Sequence, residues 1–143
     1  MNVAGILKTK GSTVITAAPS DTISTISGIL GPKKIGAVLI VNDMGKLCGV
    51  LSERDIVRGL SECGNDCLNQ TAADLMTSDL VTTTPSETID NVMALMTEKR
   101  IRHLPVLSEG KLVGFISIGD IVKSRMDEVE REAAALRDYI ATG

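Results

Sequence analysis

The sequence predicts an α+β fold made of two β-α-β-β-α repeats packed sheet to sheet about a pseudo-two-fold axis, ending in an extended C-terminal helix. Three observations carry this expectation. The stretch Val14-Ile15-Thr16-Ala17-Ala18-Pro19-Ser20-Asp21-Thr22-Ile23 returns as Leu80-Val81-Thr82-Thr83-Thr84-Pro85-Ser86-Glu87-Thr88-Ile89. The stretch from Gly45 to Val57 returns as Gly110 to Val122, the offset falling from 66 to 65 residues after one insertion near Met44. Beyond the second copy, an apolar stripe continues at helical spacing to Ile140. Two copies of so short a unit imply that each half completes its core against the other, leaving a cleft of approximate two-fold symmetry in which function is sought.

The elements follow in order. A short helix, Val3 to Leu7, precedes the first copy. Val14-Ile15 reads as a short strand, and Pro19-Ser20-Asp21 punctuates before a helix with the stripe Ile23, Ile26 and Leu30. Gly31-Pro32 is expected to stop that helix. Ala37 to Val41 is rich in β-formers, Asn42-Asp43-Met44-Gly45 reads as a hairpin turn, and Lys46 to Leu51 returns as the paired strand. Ser52 opens a second helix to about Leu60, Gly64 to Thr71 reads as a polar linker, and Ala72 to Met76 as a short helix leading into the second unit. The second copy repeats the pattern with the stripe Ile89, Val92 and Met96, a strand His103 to Leu107, the turn Ser108-Glu109-Gly110 and a returning strand Lys111 to Ile116. Its last helix runs on, with Val122, Met126, Val129, Ala133, Leu136 and Ile140 at alternating spacings of four and three, an a/d seam that needs a partner. The expected division is a first repeat over 1–64, a linker over 65–70, a second repeat over 71–126 and a helical extension over 127–143.

A chain of 143 residues can bury a sizeable core without disulfides or metals. Phe115 and Tyr139 are its only aromatics, so the stacking platforms of single-strand binders are missing, and a net charge of −3 is unsuited to a phosphate backbone. Nucleic acid is therefore not an expected partner. The apolar run from Ile35 to Val41 is too short for a bilayer, and Met1 to Leu7 lacks the basic start of a signal peptide, so neither a membrane nor export is expected and the localisation reads as cytoplasmic. Cys48, Cys63 and Cys67 form no paired framework, and without a nearby His they read as structural or incidental thiols rather than a metal site.

The residues that carry chemistry lie at a corner found twice, Gly49-Val50-Leu51-Ser52-Glu53-Arg54-Asp55 and Gly114-Phe115-Ile116-Ser117-Ile118-Gly119-Asp120. Serine followed three residues later by an acid is a capping box, which satisfies amide groups at a helix start and needs no ligand. The same geometry also serves a ligand. Free amides and the helix dipole place Ser52 and Ser117 where a phosphate would bind, Asp55 and Asp120 can accept from ribose hydroxyls, and the preceding glycine lets a ligand approach the backbone.

With the tandem repeat, the Ser-x-x-Asp corners and the strand Arg102-His103-Leu104-Pro105-Val106, the chain from Val3 to Met126 resembles a pair of cystathionine-β-synthase (CBS) domains, or Bateman module. The resemblance implies two clefts for adenosine-containing ligands such as AMP, ADP, ATP, NAD(H) or S-adenosylmethionine, and a module that senses energy or redox state rather than catalysing. Ser52 and Asp55 would then serve phosphate and ribose in one cleft, and Ser117 and Asp120 in the other. Ile35-Gly36-Ala37 and Ile101-Arg102-His103 would line the clefts at the start of the second strand of each copy, and Ser12-Thr13 and Ser78-Asp79 would close the adenine ends. Arg54 can neutralise a phosphate where its counterpart Gly119 cannot, and Gly36-Ala37 stands opposite Arg102-His103 in the other copy, so the clefts are expected to differ. Arg54 can equally be a solvated arginine, and His103 a packed strand residue. No nucleophile and base pair, metal set or phosphate loop is visible, so no catalytic residue is assigned. The expected protein is an adenine-nucleotide-binding regulatory homodimer acting on a regulated partner; the alternative is a constitutive dimerisation module whose corners are only caps.

Overall fold

The computed structural model of the protein describes residues 1–11 and 13–142. These fall into two compact units, Thr13–Val81 and the described residues of Met1–Ser12 with Thr82–Gly143.

In the unit Thr13–Val81, β1 (Thr16–Ala17) pairs in parallel with β2 (Ala37–Val41), and β2 pairs antiparallel with β3 (Leu47–Ser52). The strand expected at Val14-Ile15 thus begins two residues later. β-branched residues mark the segment, but the partner's register decides which residues pair, here Thr16 with Leu39 and Ala17 with Ile40. α2 (Ile23–Lys33) is capped by Thr22, whose hydroxyl accepts from the Thr25 amide at 3.2 Å. It does not stop at Gly31-Pro32; Pro32 lies within the last turn. A proline there removes a single amide donor, and the end is secured instead by Lys34 in the left-handed region (φ 54°), with the Lys34 amide donating to Gly31 O at 3.1 Å and the Ile35 amide to Leu30 O at 3.2 Å. Arg100 repeats this cap at φ 56°, with the Ile101 amide donating to Met96 O at 3.0 Å.

Ile23, Ile26 and Leu30 of α2 pack with Val38, Ile40 and Leu51 of the sheet and Ile56 of α3 (Glu53–Cys63). The segment expected to be a polar linker contributes to this core. Gly64–Asn69 forms a 3-10 turn whose Cys67 is fully buried, and a Cβ on Gly59 would lie 2.7 Å from its Sγ, so close packing needs glycine at that point of α3. After α4 (Ala72–Leu75) the chain returns to the sheet, where Thr77 and Val50 exchange backbone hydrogen bonds at 2.9 and 3.0 Å.

In the other unit, α5 (Ile89–Lys99), β4 (His103–Ser108), β5 (Lys111–Ser117) and α6 (Ile118–Thr142) follow the same plan. Thr83 makes an isolated parallel bridge to Val106 where the first copy has β1. Both hairpins carry a register shift at the same place, between Ile40 and Val41 and between Val106 and Leu107. α1 (Val3–Lys10) packs here, with the Val3 amide donating to Glu87 O and the Ala4 amide to Pro85 O, both at 2.9 Å. The helix that precedes the first repeat in sequence therefore joins the elements of the second. Val3 and Ile6 of α1 are buried, as are Ile89, Val92, Met96, Leu104, Val106, Ile116 and Ile121 of the same unit.

Candidate functional site

Each unit contains one strand-to-helix corner. In the first, β3 ends at Ser52 and α3 begins at Glu53. The Ser52 amide and hydroxyl donate to Asp55 Oδ2 at 2.9 and 3.0 Å, and the Asp55 amide donates to Ser52 Oγ at 3.3 Å, a complete capping box. Asp55 is only 5% exposed. Its second oxygen accepts from the Thr77 hydroxyl at 3.4 Å and lies 3.6 Å from the Arg58 guanidinium. The start of β2 is joined to this corner, because Ala37 pairs with Ser52 and Gly36 O accepts from the Glu53 amide at 2.9 Å, directly after Ile35.

The second corner repeats the plan with different chemistry around it. The Ser117 amide donates to Asp120 Oδ2 at 2.8 Å and the Asp120 amide to Ser117 Oγ at 3.2 Å. His103 pairs with Ser117, and Arg102 O, after Ile101, accepts from the Ile118 amide at 2.8 Å. The His103 ring lies 5.6 Å from that of Phe115, so it is packed on the sheet. Lys10 reaches in from α1 and donates to Asp120 Oδ2 and to Phe115 O, both at 2.7 Å. A cavity of about 190 Å³ between α1 and α6 has Lys10 and Asp120 in its wall, with Lys123 and Arg131 further along.

Burial works to raise the Asp120 carboxyl, but the Lys10 hydrogen bond and charge and the Ser117 bonds outweigh it and hold it below the usual carboxylate range. The folded state therefore binds fewer protons there than the unfolded chain. This contribution to stability is complete at neutral pH and is lost as the pH falls through the folded value. Lys10→Met is expected to destabilise the protein at pH 7, with the deficit shrinking below about pH 4, where the variant and the unfolded chain begin to protonate Asp120, and gone only below the parent's own lowered value. Urea unfolding at pH 7 and pH 3 checks this, and a deficit of equal size at both would show that Lys10 acts through packing alone.

The corners thus bring together Ser52, Asp55, Ile35, Gly36 and Ala37 in one unit, and Ser117, Asp120, Ile101, Arg102 and His103 in the other. Arg54 is exposed on the first turn of α3, and among the described residues it makes no ion pair; the guanidinium near Asp55 belongs to Arg58. Ser78 and Asp79 are exposed and follow Thr77, which brings their segment to the first corner. Thr13 is exposed, with no hydrogen bond to either corner among the described residues, and Ser12 lies outside them. Sequence reasoning missed Lys10, Thr77 and Arg58. Arg58 stands one turn after Asp55 and was open to a helical-spacing argument. Lys10 is 110 residues from its partner and carried no local signal.

The glycines before the corners serve protein neighbours rather than a ligand. A Cβ on Gly49 would meet Met76 Sδ at 2.6 Å and Thr77 O at 2.9 Å, and one on Gly114 would meet the Leu7 side chain at 2.5 Å. A leucine methyl can turn aside, whereas a backbone carbonyl held in a bridge cannot. Gly49→Ala is expected to cost about 2 kcal/mol and Gly114→Ala about 1 kcal/mol or less. Denaturant midpoints compare them, and the reverse order would contradict this account.

Among the described residues, no three His, Cys, Asp or Glu side chains are grouped to hold a metal ion, and no helix is long and apolar enough to cross a membrane. Against known proteins, the family model of the CBS domain matches residues 9–62 and 72–127. The chain is 30% identical to the CBS domain-containing protein CBSX3, mitochondrial, of Arabidopsis thaliana, over 99% of this chain and 72% of that protein. A crystal structure of the CBS-domain containing protein ATU1752 from Agrobacterium tumefaciens superposes with a TM-score of 0.85 at 39% identity, covering 87% of this chain and 92% of that one. The CBS domain pair of protein MJ0100, in complex with 5′-methylthioadenosine and S-adenosyl-L-methionine, superposes with a TM-score of 0.79 at 26% identity, covering 90% of this chain and 98% of that one.

Proposed function

We propose, from the premise that the chain belongs to the CBS-domain family, that it is a regulatory module that binds an adenosine-containing ligand and reports its occupancy to a partner protein, without catalysing a reaction. The observation that carries this reading is the second corner. Asp120 is a partly exposed carboxylate one turn into a helix, able to accept from ribose hydroxyls, and Lys10 beside it is an ammonium able to meet a phosphate. The ligand is AMP, ADP, ATP or NAD(H), read as energy or redox state. Asp120 and Ser117 hold its ribose and phosphate end with Lys10, Arg102 and His103 nearby; Asp55, Ser52 and Arg54 do so at the other corner, and Ser12, Thr13 and Asp79 belong to the segments that close on the base. The protein works as a cytoplasmic homodimer.

One observation favours a second reading. Both corners are already closed as caps, and Asp55 has its acceptor capacity occupied within its own chain. That suits a constitutive dimerisation module with no physiological nucleotide. Thermal unfolding of protein refolded free of small molecules separates the two. A ligand at about a hundred times its dissociation constant adds roughly 2.7 kcal/mol to the folded state, a rise of several degrees in Tm. At least one of AMP, ADP, ATP, NAD, NADH and S-adenosylmethionine is expected to give that rise, with guanosine nucleotides weaker. No response to any of them would leave the dimerisation reading standing.

A further inference from the structure

α6 carries an apolar stripe that its own unit leaves uncovered. Ile121 is its one buried residue among those described, with Ser124 and Glu128 half-buried on the same side. Val122, Met126, Val129, Leu136 and Ile140 are 49–69% exposed and, with Ala133, centre about 100° round the helix from Ile121. After Glu128 no described residue of α6 is buried, so the last turns stand free of the core. Four free turns are marginal in water, but their nucleation is already supplied by the anchored start of the helix.

We propose that α6 pairs with α6 of a second copy as a parallel, in-register two-stranded coiled coil, a refinement that rests on the homodimer reading. The residues flanking the seam decide the direction. Arg125 and Glu132 each immediately precede a seam residue, and Glu130 and Arg137 each immediately follow one. In a parallel pair, a residue of the first kind faces the residue five positions later on the other helix. Arg125 then faces Glu130 of the second copy and Glu132 faces Arg137 of the second copy, each twice by symmetry, and all six seam positions are covered. An antiparallel pair covering the same six sets Glu130 against Glu130, Glu132 against Glu132 and Lys123 against Arg137, all like charges. Slipping that pair by one heptad restores opposite charges only by uncovering two of the six seam positions. Arg125 already has Asp90 and Glu128 at 3.2 Å in its own chain, whereas among the described residues Glu132 and Arg137 have no ion pair, so theirs is the more informative pair.

The test is sedimentation of the full chain across a dilution series, for the parent, Arg137→Glu, and Glu132→Arg with Arg137→Glu together. In the parallel pair Arg137→Glu exchanges two attractions for two repulsions, and dimerisation is expected to weaken about tenfold, less in high salt; the double variant restores both attractions and returns to near the parent value. In the fully overlapped antiparallel pair Arg137→Glu meets Lys123 and tightens the dimer, and in the slipped ones the second change restores nothing. An unchanged or tighter Arg137→Glu dimer, or a double variant that stays weak, overturns the proposal. A parent dimer indifferent to both variants removes the coiled coil and leaves the homodimer, while a parent that is monomeric at all concentrations removes both.

Discussion

Replacing Asp55 with alanine is expected to cost about 2–3 kcal/mol of folding stability, lowering Tm by roughly 6–12 °C in a domain of this size. Three effects combine at this buried carboxylate. The half-buried Ser52 amide and hydroxyl lose their acceptor, whereas the exposed Thr77 hydroxyl gives up a long bond of 3.4 Å and can turn to water. α3 loses the acidic member of its capping box, and its N-terminus loses a favourable negative charge. Arg58, 61% exposed, can turn to solvent and adds little to the cost. Asp55→Asn keeps one acceptor oxygen and is expected to lose about half as much. Urea unfolding followed by circular dichroism measures both, and an alanine variant within about 0.5 kcal/mol of the parent would mean that the sheet and not the carboxylate holds the corner.

This corner also shows what was legible in the sequence. Ser52, Asp55, Ser117 and Asp120 were readable because a capping box is local: four consecutive residues contain the donor, the acceptor and the helix they join. The repeat doubled that signal, and the apolar stripes of α2 and α5 identified the core of each unit from spacing alone. Contacts that depend on distant chain segments were not readable. Nothing in Val3 to Lys10 indicates that it packs with β5 and α6 rather than with the repeat it precedes, so Lys10 beside Asp120 was invisible. Thr77 was hidden for the same reason, since it reaches Asp55 by pairing with β3 rather than by lying near it in sequence. Pro32 and Cys67 failed differently. A proline in a last turn costs one donor that a left-handed cap makes tolerable, and a polar-looking stretch can bury one small thiol where a glycine makes room.

Alanine at Asp120 is expected to separate binding from stability in the opposite sense to Asp55. Its side chain is 23% exposed and its strongest partner, Lys10, is 39% exposed, so the stability lost on truncation is about 1 kcal/mol. If Asp120 holds ribose hydroxyls as proposed, the variant loses charge-assisted hydrogen bonds worth roughly 1.5–3 kcal/mol, a ten- to hundredfold fall in affinity for the adenosine ligand. Lys10 refines the test, because the two groups are expected to read different parts of the ligand. Lys10→Met is expected to weaken AMP more than adenosine, with the difference shrinking as salt rises, whereas Asp120→Ala weakens both alike. The same comparison at the first corner, with Arg54→Ala against AMP and adenosine, asks whether this exposed arginine reads a phosphate there. Calorimetry on the four proteins decides. Full affinity in Asp120→Ala, together with a normal response to the same ligand in the parent, would move the ribose away from this corner and leave Asp120 as the cap of α6 and the counter-ion of Lys10.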